Sequence, residues 1–97
     1  MRLKREEIGI IRDCIKALDK DAKIYLFGSR VDNSAKGGDI DLLIISQKLS
    51  YDDSIRIRQK LYEELGEQKI HLIITKDLDN SFIKLAYSEG VLLWIKH

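Results

Sequence analysis

The chain predicts a compact α/β or α+β sandwich in which a mixed sheet is covered by helices. Three observations carry that reading. Apolar residues recur at helical spacing near the start, short apolar runs that suit strands follow, and the two kinds of segment alternate to the end. The 97 residues make a single domain, 1–97, with no repeat, linker-like run or low-complexity segment. A chain this short buries only about 60–65% of the surface its unfolded form exposes, so its core has little to spare.

Ile8, Ile11, Ile15 and Leu18 form one apolar stripe, predicting a helix from Arg5 to Leu18. Lys23 to Phe27 is a short, nearly all-apolar run ending at Gly28, as expected of a strand covered on both faces. Asp39 to Ser46 predicts a second strand. Ser50 and Asp53 resemble a capping pair for a helix running to Leu65, with Gly66 placed to end it. Ile57, Leu61 and Leu65, with Tyr62 beside them, are assigned to its inner face. Lys69 to Thr75 predicts a third strand, and Asp79, Asn80 and Ser81 offer N-caps for a helix carrying Phe82, Leu85 and Ala86. That helix is expected to stop near Gly90, before a short strand from Val91 to Ile95. Proline is absent, so glycine and the Asx and Ser residues must supply the turns.

Composition limits the function classes. The charged fraction is 34% but balanced at net +1, so nothing overall demands a nucleic-acid partner. Basic clusters at Arg2, Lys4 and Arg5 and at Arg56, Arg58 and Lys60 read as solvated faces. No apolar stretch approaches the roughly 18–20 residues needed to span a bilayer, and the basic start leads into Glu6 and Glu7. A cytoplasmic protein is expected. Cys14 is the single cysteine and reads as a small, partly buried apolar residue, not a nucleophile.

The chemistry is concentrated in Gly28-Ser29-Arg30 and in Asp39-Ile40-Asp41. Alternation along a strand places Asp39 and Asp41 on one face, followed by Leu43 and Ile45. Two carboxylates so close repel each other, and a divalent cation relieves them. Mg²⁺ takes oxygen ligands, commonly one or two carboxylates plus phosphates and waters, and Mn²⁺ is an alternative. Gly28 allows backbone to approach a phosphate, and the Ser29 hydroxyl and N–H can both donate. Arg30 and Lys36 are candidates for countering triphosphate charge. On the third strand His71 shares a face with Ile73 and Thr75. It stands close to the aspartates if the two strands are neighbours in matching register.

Each feature also has a plain structural reading. A Gly-Ser after a strand is most often a turn, and an Asp-x-Asp can simply start a solvated strand. Their combination, between two apolar strands, favours a site. So arranged, Gly28-Ser29, the nine-residue loop 30–38, Asp39-Ile40-Asp41-Leu42-Leu43-Ile44 and Lys69-Ile70-His71-Leu72-Ile73 resemble a minimal nucleotidyltransferase (MNT) domain of the DNA polymerase β-like superfamily.

The resemblance covers nearly the whole chain. It implies an α+β, palm-like fold, a Mg²⁺-bound nucleoside triphosphate such as ATP, and transfer of a nucleotidyl group to a hydroxyl with loss of pyrophosphate. It implies metal binding by Asp39 and Asp41, phosphate binding by Gly28 and Ser29, and His71 where a third carboxylate usually stands. Histidine there could act as a general base or bind a softer ion. It could equally mark a degenerate domain that binds nucleotide or protein without turnover. By analogy, the partner is an HEPN-type toxin neutralised by an MNT antitoxin, a second copy of the chain, or both. The near-zero net charge argues against transfer to nucleic acid.

Overall fold

The computed structural model describes residues 3–28, 39–66 and 68–94. Its elements run α1 (Arg5–Lys16), β1 (Lys23–Phe27), β2 (Ile40–Ile45), α2 (Tyr51–Leu65), β3 (Ile70–Thr75), α3 (Ser81–Glu89) and β4 (Val91–Trp94). Each predicted element is present, with ends shifted by a residue or two. The first helix stops at Lys16, not Leu18, and the chain tightens there, with Leu18 N–H donating to the Ile15 carbonyl three residues back at 3.0 Å. Asp19 is then buried and accepts the Ser46 hydroxyl at 2.5 Å.

The four strands lie in the order β3-β2-β1-β4. β1 pairs antiparallel with β2 and with β4, and β2 pairs parallel with β3. The sheet is therefore mixed. Alternation sorts its side chains onto two faces. Ile24, Leu26, Ile40, Leu42, Ile44, Ile70 and Leu72 pack with Ile11 and Ile15 of α1 and Ile57 and Leu61 of α2. On the other face Phe27 and Leu43 pack with Ala86 of α3, flanked by Tyr25, Ile45, Ile73 and Ile83. β1 is thus covered on both sides, as its near-continuous apolar run requires.

The caps follow the local chemistry. Ser50 and Asp53 form the expected capping box, with Ser50 N–H donating to the Asp53 carboxylate at 2.8 Å. Gly66 ends α2 at φ +84°. Asn80 caps α3, its side-chain oxygen accepting from Phe82 N–H at 2.8 Å and Ile83 N–H at 3.2 Å. One inner-face assignment differs from expectation. Tyr62 is 50% exposed, because it follows the inward Leu61 by one residue and so lies about 100° round the helix. Phe82 and Leu85 are similarly half exposed, leaving Ala86 as the buried residue of α3. Among the described residues no helix is long and apolar enough to cross a membrane.

Candidate active site

Topology brings three strand ends together. β2 runs antiparallel to β1 and parallel to β3, so the end of β1 and the starts of β2 and β3 meet at one edge of the sheet. Phe27 is the register partner of Asp41 on one side, and His71 is its partner on the other. Gly28, Asp41 and His71, separated by 13 and 30 positions in the chain, become neighbours.

The Asp41 carboxylate is held from two sides. Its Oδ1 lies 3.4 Å from His71 Nδ1. Its Oδ2 lies against Gly28, where a side chain at position 28 would have to pass. Gly28 has φ +74°, a backbone conformation that favours glycine, and any Cβ there would collide with that oxygen. The residue therefore serves the carboxylate directly. The sequence alone points to a turn or to phosphate approach at this glycine.

Asp41 is 16% exposed, and burial raises its carboxyl above the usual carboxylate range. The imidazole of His71 opposes that rise and the nearby charge of Asp39 adds to it. Asp39, at the lip, is 42% exposed and faces Lys69 Nζ at 4.0 Å. Two cross-strand pairs thus stand side by side, Asp39 with Lys69 and Asp41 with His71. Beside them Phe27 and Phe82 meet edge to face, with ring centres 6.4 Å apart, and form an apolar wall.

Of the residues singled out from sequence, the structure gathers Gly28, Asp39, Asp41 and His71. Ser29, Arg30 and Lys36 lie outside the described residues. Sequence reasoning missed Lys69. The signal was available: Lys69 precedes His71 by two positions just as Asp39 precedes Asp41, and parallel pairing matches such positions directly. Cys14 is half-buried and desolvation raises its thiol, which suits a packing residue. It lines a groove of about 520 Å³ between α1 and α2, on the sheet face opposite the carboxylates.

The family described as "Polymerase beta, Nucleotidyltransferase" matches residues 11–97. The chain belongs to the polymerase beta nucleotidyltransferase family. Its fold is similar to that of a chain in the crystal structure of a toxin–antitoxin MntA-HpeT mutant. The TM-score is 0.72 at 19% identity, covering 93% of this chain and 74% of that one. It is also similar to a chain of the tri-AMPylated Shewanella oneidensis HEPN toxin in complex with MNT antitoxin. There the TM-score is 0.70 at 21% identity, covering 95% and 72%. At such identities the likeness speaks for the fold. No curated protein gives a significant match.

Polymerase beta nucleotidyltransferases are generally metal-dependent. The donor set here suits a hard divalent ion, since Asp39 and Asp41 present carboxylate oxygens on one strand face and the partly buried Asp41 charge lacks full solvation. Among the described residues no group of three acidic, histidine or cysteine side chains is placed to hold one ion.

Proposed function

We propose that this polymerase beta-type domain binds a divalent metal with a nucleoside triphosphate, ATP in the first instance, and transfers its nucleotidyl group to a hydroxyl of a partner protein. The observation that carries this reading is the Asp39/Asp41 pair opening β2 beside Gly28. It combines hard oxygen donors with a strand end whose glycine carries no side chain of its own. Ser29, Arg30 and Lys36 follow Gly28 closely enough in the chain to serve the phosphates.

In the proposed reaction the acceptor oxygen forms a bond to the α-phosphorus. The bond from that phosphorus to the bridging oxygen of the β-phosphate breaks, and pyrophosphate leaves with the electron pair. Asp39 and Asp41 would hold Mg²⁺ or Mn²⁺, which when bound supplies positive charge to the phosphate oxygens. With His71 Nδ1 turned to Asp41, its Nε2 is the atom assigned to take the acceptor proton. His71 is 57% exposed, so an acceptor can reach it. The likeness to MNT antitoxin complexes makes an HEPN-type toxin the first partner to try, with a tyrosine, serine or threonine hydroxyl as acceptor.

The test is retention and transfer of label from α-labelled ATP with Mg²⁺ or Mn²⁺ and the co-purified partner. Wild type is expected to retain nucleotide and label the partner, and the Asp39→Asn/Asp41→Asn protein to do neither. Folded wild type that holds its partner yet labels nothing with any nucleotide would sink the transferase reading. A second reading is favoured by His71, which faces Asp41 where a third carboxylate would make a fuller metal site. In it the domain neutralises its partner by contact alone, and the double aspartate variant keeps that effect.

A further inference from the structure

The paired carboxylates leave little room for a two-ion clamp. Such a clamp needs a shared carboxylate and further hard oxygens for each ion. Here one oxygen of Asp41 faces His71 at 3.4 Å, and the other lies against Gly28. Asp39 faces the Lys69 ammonium at 4.0 Å. The start of β3 therefore sets a base or cation opposite each acidic residue of β2, where a further acid would otherwise add ligands. Among the described residues no third acidic, histidine or cysteine side chain joins the pair in holding an ion.

We infer that the site takes a single divalent ion per nucleotide and that Lys69 supplies the second positive charge directly, as a contact to the polyphosphate. Lys69 is 83% exposed, so its ammonium is hydrated and can turn from Asp39 to a phosphate oxygen once an ion engages the carboxylates. Charge would balance in that exchange: with Asp39 holding a divalent ion, the Lys69 ammonium would be free to meet the accompanying anion. His71 keeps one oxygen of Asp41 engaged, so that carboxylate does not bridge two ions. The inference rests on the metal–nucleotide reading above and adds the ion count and the role of Lys69.

The count can be measured without turnover. The protein is dialysed against Mn²⁺ and α,β-methylene ATP, whose α–β linkage cannot be cleaved, and bound Mn²⁺ and nucleotide are quantified together. Wild type is expected to hold about one Mn²⁺ per bound nucleotide, and Lys69→Met/His71→Asp about two. Lys69→Met alone should weaken nucleotide retention about tenfold. Both positions are more than half exposed, so these variants are expected to fold. About two Mn²⁺ per nucleotide in wild type would overturn the inference and leave nucleotide binding standing. An unchanged count in the double variant would remove the role given to Lys69 and His71. No nucleotide retained by folded wild type would overturn the underlying reading instead.

Discussion

Asp41 is the residue at which stability and the proposed function pull apart. Its carboxyl is raised from the ordinary 3.8, chiefly by burial, so the folded chain holds that proton more tightly than the unfolded chain does. Stability from this group therefore falls as pH climbs through the window above 3.8, and at neutral pH the ionised carboxylate is a net cost to the metal-free fold. Asp41→Asn keeps an oxygen to accept from His71 and removes the charge. It is expected to raise the melting temperature by about 2–4 °C at pH 7, with the gain shrinking towards pH 4. Melting curves across that range check the sign, since a gain that grows in acid would contradict it. The same substitution should abolish stabilisation by Mn²⁺ and nucleotide. Together the two outcomes would mark a group kept for ligand binding at the expense of stability.

At the scale of elements, α3 closes the sheet face on which the carboxylates sit, and its seat depends on Gly90. A Cβ there would meet the Ala86 carbonyl at 2.9 Å and the Leu26 carbonyl at 3.3 Å, backbone groups of the helix and of β1. The backbone at Gly90 is ordinary extended, with φ −78°, so the requirement is one of space alone. Gly90→Ala is expected to cost about 1–3 kcal/mol, because neither carbonyl can move without shifting its element. Hydrogen exchange should then rise first in α3 and β4, while α1 and α2 keep their protection. Uniform loss across all helices would argue that α3 is not a separable cover. The edge-to-face contact of Tyr25 with Tyr87, at 5.1 Å, reports the same seat spectroscopically.

At the scale of the molecule, the central strand β2 carries both the core and the site. Leu42 points into the large cluster under α1 and α2 and is fully buried, one position along from Asp41 on the other face. Leu42→Ala is expected to cost about 3 kcal/mol. That is a large share of the roughly 5–15 kcal/mol that holds a domain of this kind together. A fall in melting temperature on the order of 15 °C should follow. A loss below about 5 °C would mean that the small core relaxes around the cavity more freely than close packing allows. The sheet also explains why the site sits at an edge. Strand ends are where polar side chains can face solvent while the next residues along the same face, Leu43 and Ile45, enter the core.

The chain itself determined its elements, because periodicity, capping residues and turn glycines are local signals. The stripe of α1, the Ser50–Asp53 box, a cap for α3 among Asp79, Asn80 and Ser81, and the shared face of Asp39 and Asp41 all follow from local sequence. What local spacing could not supply was anything that depends on which strands are neighbours. The parallel register that sets His71 against Asp41 was legible only as a condition, and the pairing of Lys69 with Asp39 went unread because it needs that register first. Helix phase decided that Tyr62 stands outward, since an apolar side chain beside a stripe can take either side until packing chooses. Gly28 shows the division most clearly. Its sequence marks a turn after a strand, which φ +74° bears out, and the tertiary structure alone reveals a second reason for glycine: Asp41, 13 residues on, puts its carboxylate where a side chain would be.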